Sequence, residues 1–272
     1  MRLVLLTGQG PEHRYVTGVL SRAFPDELAA VVVAEPPRRS ALARWRSYRR
    51  RYTLAQIASR VRAKVYARLT GRAARWAAAA GRTLFAGADD GAMPRPDLVR
   101  VFPGHNGPEC LAFLAGLKPD VIAVYGTGVI REGVMRLAGR AILNLHTGVS
   151  PRYRGSDSVF WALHNAEPEW VGATVHVLSQ ALDAGGIIAT VRTPIAGDED
   201  EATLFFKTVA AGAQLYVETI RQAAAGAARP VPQRLEEGRE YRFVDRTVAA
   251  ERRVERLLRG GLLARYAASR RP

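Results

Sequence analysis

Five apolar residues in a row, Val121-Ile122-Ala123-Val124-Tyr125, constrain this chain more than any other stretch. A strand with one wet face alternates apolar and polar residues, whereas an unbroken run of this length marks a central parallel strand covered on both faces. Around it, Leu3 to Thr7, Ala29 to Ala34, Val99 to Phe102, Ala141 to Leu145 and Ile187 to Arg192 read as further strands. Helical patterns lie between them. One follows Gly8-Gln9-Gly10 and carries Tyr15, Val19, Leu20 and Phe24; others span Asn106 to Leu117 and Arg131 to Leu137. Strands separated by helices predict an α/β fold with an open, Rossmann-like, mostly parallel sheet.

Beyond the sheet, Arg38 to Ala80 places Trp45, Tyr48, Tyr52, Ile57, Val61, Val65 and Leu69 at helical spacing, which predicts two helices broken near Gly71 as an insertion. Gly81 to Pro96 reads as a loop. Ser156-Asp157 looks like the cap of a short helix bearing Val159, Phe160, Trp161 and Leu163. Val171 to Leu178 alternates, with His176 and Thr174 opposite the valines; a satisfied structural histidine is the plain reading of His176. A long helix is predicted over Ala202 to Ala225. The tail then has Pro230 and Pro232, a strand-like Tyr241-Arg242-Phe243 and a basic helix from Ala249 to Tyr266. The expected organisation is a domain over 1–200, with the helical insertion at about 36–88, followed by a C-terminal helix and basic tail over 201–272.

Charge is distributed unevenly. The net +15 falls almost entirely within Pro36 to Ala88, which holds fourteen Arg and Lys residues and neither Asp nor Glu. A local surplus argues for an anionic ligand or surface beside that segment, or for a solvated helical flap, and against a chain that coats nucleic acid throughout. The single cysteine, Cys110, excludes an internal disulfide and sits in an apolar run, as a buried thiol would. No His, Cys or Asp cluster has metal-ligand spacing, so no metal is expected. The opening Met1 to Thr7 is too short for the core of a signal peptide, and no apolar stretch reaches membrane-spanning length. The expected location is cytoplasmic.

Chemistry concentrates after the strand at Ala141. Asn144 and His146 are two apart, so their side chains share a face at the strand's C-terminal end, where parallel sheets keep their ligand crevices. The loop Thr147 to Gly155, with Gly148, Pro151 and Gly155, cannot be regular structure. Asn can donate to a developing oxyanion, His can take a proton from an attacking amine, and a distant Asp can hold the His or a water. The plainer alternative is a strand-end pair that satisfies neighbouring backbone groups.

Four blocks occur in order: Asn144-Leu145-His146, then Ser150-Pro151-Arg152-Tyr153-Arg154-Gly155, then Gly172-Ala173-Thr174-Val175-His176, then Leu182-Asp183-Ala184-Gly185. Together they resemble the signature of the folate-dependent formyltransferases, a family that includes the glycinamide ribonucleotide, methionyl-tRNA and sugar N-formyltransferases. The likeness is close from Lys118 to Ile195 and loose from Met1 to Val33. It implies the formyltransferase fold, 10-formyltetrahydrofolate as co-substrate and a primary amine as acceptor. It puts Asn144, His146 and Asp183 at the catalytic positions, although an Asp before Ala-Gly-Gly is also an ordinary turn cap. It implies a folate pocket lined by Gly126, Thr127, Gly128, Val129 and Ile130 and by Ser179, Gln180, Ala181 and Leu182; the two glycines would equally serve a strand-to-helix turn. The acceptor side is expected at Gly8, Gly10, His13, Arg14, Ser150, Arg152, Tyr153, Arg154 and Gly155.

Thr147-Gly148-Val149 departs from the small apolar residues common after the family's His, and the stretch beyond Ile195 is short for the C-terminal domain of the methionyl-tRNA enzymes. The expected acceptor is therefore a nucleotide-linked amino sugar or a natural-product amine. Its diphosphate would be held by cations of Arg38 to Arg82 or by Arg14, because arginine matches phosphate bidentately. A methionyl-tRNA-like enzyme, and a non-catalytic RNA-binding protein on the same fold, are the alternatives. A nicotinamide oxidoreductase is disfavoured because Gly8-Gln9-Gly10 lacks the third glycine of the dinucleotide fingerprint. A homodimer is left open.

Overall fold

The computed structural model describes residues 1–35, 40–88, 91–181 and 183–270. In chain order the elements are β1 (Leu3–Thr7), α1 (Pro11–Ala23), β2 (Leu28–Ala34), α2 (Ala41–Arg51), α3 (Leu54–Leu69), α4 (Arg72–Phe85), β3 (Val99–Phe102), α5 (Pro108–Leu117) and β4 (Val121–Tyr125). They continue with α6 (Glu132–Met135), β5 (Ala141–His146), β6 (Tyr153–Gly155), α7 (Ser158–His164), β7 (Gly172–Val177) and β8 (Ile187–Arg192). The last are α8 (Glu201–Ala224), β9 (Arg239–Tyr241), α9 (Val248–Arg259) and α10 (Leu262–Ser269).

Seven strands form one sheet in the order β3-β2-β1-β4-β5-β7-β8. The first five are mutually parallel, while β7 pairs antiparallel with both β5 and β8. The strand order reverses between β1 and β4, and that switch point opens a crevice at the strands' C-terminal ends. Side-chain alternation divides the core. Leu3, Leu5, Val31, Val33, Ala123, Leu143 and Leu145 face α1, α4 and α8, whereas Val4, Leu6, Val32, Ile122 and Val124 face Cys110 and Leu114 of α5. The unbroken apolar runs are thus strands covered on both sides.

Tyr216 of α8 is wholly buried, and its hydroxyl accepts from the Val124 N–H at 2.7 Å and lies 2.8 Å from the Leu143 carbonyl. It clamps β4 to β5 just before the site. Because α8 packs so fully into the main core, the sheet's layers continue to Ala224, past the expected boundary at residue 200.

The segment after β2 departs from expectation. Three helices replace the predicted two, because Thr53 caps α3 through a reciprocal pair of hydrogen bonds with Gln56 in addition to the break at Gly71. The third, α4, runs through Gly81 to Phe85, where a loop is expected, since Ala79, Ala80 and Leu84 are buried in the main core where α4 packs on α8 and α1. Only α2 and α3 stand outside the sheet's layers; Arg38 and Arg39 lie outside the described residues. The helix predicted over Arg131 to Leu137 shortens to α6.

Asp157 precedes α7 at φ +58° without a side-chain capping bond, because its carboxylate accepts instead from Arg246 at 2.8 Å. The predicted basic helix of the tail divides at Gly260-Gly261, where Gly261 has φ +77°. The tail strand lies slightly earlier than expected, as β9, and pairs in parallel with β6. Tyr153, Phe160, Trp161, Val254 and Leu263 form a satellite core that fixes α9 and α10 to α7.

Candidate active site

The crevice at the switch point is a cleft of about 490 Å³. It is lined by the loop after β4, Gly126 to Ile130, by Leu178, Ser179, Gln180 and Ala181, by Glu12 and His13, and by Asn144 and His146. Leu182 lies outside the described residues. The described residues of the two expected folate loops therefore line a single space.

The register of the antiparallel return builds the reactive end. Asn144 of β5 sits directly opposite His176 of β7, and the Asn144 Nδ2 donates to His176 Nε2 at 3.0 Å. His176 in turn donates Nδ1–H to the Val177 carbonyl at 2.9 Å, which fixes its tautomer. Asp183, in left-handed conformation at φ +47°, projects its carboxylate into this group. Its Oδ1 accepts from Asn144 Nδ2 at 3.3 Å and lies 3.4 Å from His176 Nε2; its Oδ2 accepts from the Gly155 N–H at 2.9 Å and lies 3.4 Å from His146 Nδ1. The carboxyl is driven up by burial, but the neighbouring His146 and His176 and the Gly155 N–H outweigh that and hold it well below the usual carboxylate range.

His146 is oriented from its other side. Nε2 donates to the Tyr153 carbonyl at 3.0 Å and lies 3.2 Å from the Ser158 hydroxyl. That bond commits the Nε2 proton and turns Nδ1 towards Asp183. A Cβ at Gly148 would come within 2.4 Å of His146 Nε2, so glycine there lets the loop cross the ring. Sequence reasoning makes His176 structural, yet it is hydrogen-bonded to Asn144 and lies beside Asp183. It also misses Gln233, whose amide donates to the carbonyls of Asp183 and Gly185 at 2.8 and 2.6 Å and secures the loop that carries the carboxylate.

Of the expected acceptor residues, His13 and Gly155 line the cleft. His13 accepts at Nδ1 from the Gly8 N–H at 3.1 Å and lies 2.9 Å from the Thr7 hydroxyl; burial keeps its imidazole below its ordinary value. The ring wedges between the two glycine loops. A Cβ on Gly126, itself at φ +61°, would approach it to 2.3 Å.

The other acceptor residues face elsewhere. Gly8 and Gly10 form the turn into α1, where the Gly10 carbonyl accepts its first hydrogen bonds. Arg14 lines a separate depression with Gln9, Val33 and Met93. Ser150 is buried, its N–H donating to Thr174 at 3.1 Å. Arg152 pairs with Glu167, and the buried Tyr153 donates its hydroxyl to the same carboxylate at 2.6 Å. Arg154 has a buried Nε without a hydrogen-bond partner. Among the described residues, none from 40–88 lines the cleft, so the basic segment does not surround it.

Residues 103–220 match the family model described as formyl transferase. The methionyl-tRNA formyltransferase of Chlorobium chlorochromatii is 38% identical over 128 residues, 47% of this chain and 40% of that protein. The one from Agathobacter rectalis is 32% identical over 158 residues, 55% of this chain and 50% of its own length. The chain thus spans half or less of the length of these curated relatives.

A sugar N-formyltransferase from a Shewanella species superposes with a TM-score of 0.57 at 11% identity, covering 93% of this chain and 87% of that one. An N-formyltransferase from Helicobacter canadensis, in complex with folinic acid and dTDP-3-aminofucose, gives 0.52 at 12% identity over 91% of this chain and 73% of its own. At such identities the likeness is one of fold. The family match spans β4, β5, both loops of the cleft and the residues around Asp183, and the shared fold surrounds it. On this evidence residues 103–220 are similar to the formyltransferase family, and the chain shares the fold of solved formyltransferases.

Proposed function

We propose that this protein transfers a formyl group from 10-formyltetrahydrofolate to a primary amine, and that the amine belongs to a nucleotide-linked amino sugar. The observation that carries the transfer is the Asn144, His146, Asp183 group in the cleft, with Asp183 held as a carboxylate. The cleft suits a flat heterocycle, because it combines apolar Val129, Ile130 and Leu178 with the backbone of two loops. The folate supplies an activated formyl carbon.

The residues divide the remaining work. The attacking nitrogen forms a bond to the formyl carbon, and the bond from that carbon to the folate nitrogen breaks. His146 Nδ1 takes the amine proton, since Nε2 is committed to Tyr153, and the adjacent Asp183 carboxylate stabilises the imidazolium so formed. The same proton is then available to the departing nitrogen. Both Nδ2 hydrogens of Asn144 are engaged, with His176 and Asp183. Asn144 therefore serves the oxyanion by exchanging its 3.3 Å contact with Asp183 for the substrate oxygen.

The sugar reading is prompted by the sugar N-formyltransferase that superposes over 93% of this chain, a likeness of fold. A second reading, methionyl-tRNA as acceptor, is favoured by the 38% identity to a methionyl-tRNA formyltransferase over the catalytic stretch. Mixing the protein with 10-formyltetrahydrofolate and either a panel of nucleotide-linked amino sugars or charged tRNA separates the two. Mass spectrometry should show one added formyl group on a sugar amine. Formylation of the tRNA alone selects the second reading, and no transfer to any amine removes both.

A further inference from the structure

The outer face of α3 carries an apolar stripe that the fold leaves uncovered. Leu54, Val61, Val65 and Leu69 recur at spacings that align them along one side of the helix, and they are 58%, 56%, 52% and 81% exposed. Fifteen residues separate its ends, about 22 Å of helix. The opposite face is engaged: the Tyr66 hydroxyl donates to Glu255 of α9 at 2.8 Å, and the Arg60 guanidinium lies over the rings of Tyr48, Tyr52 and Phe243. The outward direction of the stripe is therefore fixed by the packing of the inner face. Exposed Arg62, Lys64 and Arg68 flank it, and α2 beside it exposes Leu42, Trp45, Arg46, Arg49 and Arg50.

We infer that α2 and α3 dock this protein onto an anionic lipid surface, with the stripe of α3 in the acyl boundary and the flanking cations at the headgroup phosphates. Charge complementarity selects this occupant. Arg46, Arg49, Arg50, Arg62, Lys64 and Arg68 are exposed on α2 and α3, neither of which carries an acid, and they require an anionic counterpart, while four large aliphatics require an apolar one. A second copy of the chain would cover the aliphatics while setting Arg62, Lys64 and Arg68 against their own kind. RNA would neutralise the cations through its phosphates and leave the aliphatics in water. An anionic bilayer satisfies both requirements, and the exposed Trp45 of α2 is a residue type that favours such an interface. No described helix is long and apolar enough to cross a membrane, so α3 lies in the plane of the interface.

Flotation of the full chain with phosphatidylcholine vesicles, alone or mixed with phosphatidylglycerol, tests this. Binding is expected to the anionic vesicles only, with a blue shift of tryptophan emission. The pair Val61→Asp and Val65→Asp changes solvent-facing side chains, so the melting temperature should hold while partitioning falls at least tenfold. Arg62→Gln with Lys64→Gln should lower it about 30-fold, from the usual contribution of each cation near an anionic surface. Failure to float with anionic vesicles overturns the inference. So does unchanged binding of the Asp pair, which would leave a cation patch of the kind RNA uses, or a dimer in sedimentation that the Asp pair dissolves.

Discussion

Asp183 Oδ2 lies 3.4 Å from His146 Nδ1, with both side chains about nine-tenths buried, and the backbone N–H of Gly155 bonds the same oxygen. An imidazole whose far nitrogen is committed to a carbonyl and whose near nitrogen faces a carboxylate is built to gain a proton at one defined atom.

Replacing His146 with Ala should lower turnover by about two to four decades while leaving folate affinity, measured by titration calorimetry, within a few-fold. Turnover within threefold of the parent would remove the ring from the reaction. Asn144→Ala should cost on the order of 3 kcal/mol of barrier through loss of the oxyanion donor.

Acid should weaken the fold through Asp183. Its folded carboxyl is held below the ordinary range, so the unfolded chain binds that proton first as pH falls. The stability it contributes is fully present above about pH 5 and is lost progressively below the ordinary carboxylate value of about 4. Asp183→Asn should have a shallower decline of unfolding free energy over that window. Parallel curves from urea titrations would contradict the assignment.

Arg246 is the third target. Only 6% of its side chain is exposed, and it donates to Asp157, Glu201 and Glu251 at 2.7–3.1 Å while its guanidinium lies 3.7 Å from the Phe160 ring centroid. Burial works against its charge, yet Glu201 and its companions raise its pKa overall. Arg246→Met removes one side of a buried network and leaves carboxylates uncompensated, which should cost about 3–5 kcal/mol in urea unfolding. Arg136→Ala, at an exposed pair with Glu132, should change stability by less than about 0.5 kcal/mol.

How much of this was legible depends on the range of each interaction. The strands β1, β4 and β5 could be read because burial on both faces writes a continuous apolar run. Asn144 and His146 could be paired because strand geometry alone puts them on one face. Gly126 to Ile130 and Ser179 to Ala181 followed from a family likeness, and both stretches line one cleft. His176 could not be placed, since its position opposite Asn144 depends on the register of β7, set by a return some thirty residues later. Gln233 to Gly185, Tyr216 to Val124 and Arg246 to Asp157 act across 48, 92 and 89 residues of chain and carry no local signature. The break before α3 did carry one: Thr53 followed three residues later by Gln56 is a capping box. Where the cations expected to hold a diphosphate would lie was not legible, because charge counting along the chain does not say which way a helix faces; no described residue of 40–88 lines the cleft, and Arg14 lines a separate depression.

The pairing of β9 with β6 reaches beyond its three residues. Gly155, whose N–H holds the Asp183 carboxylate, is the last residue of β6, and Gln233, which fixes the Asp183 loop, lies just ahead of β9. The segment after Arg229 is therefore scaffold for the Asp183 carboxylate, and it is no independent cassette. A chimera that swaps the tail to import another acceptor preference would have to graft Gln233, β9 and the β6 register together, or it would redirect the substrate at the expense of the chemistry.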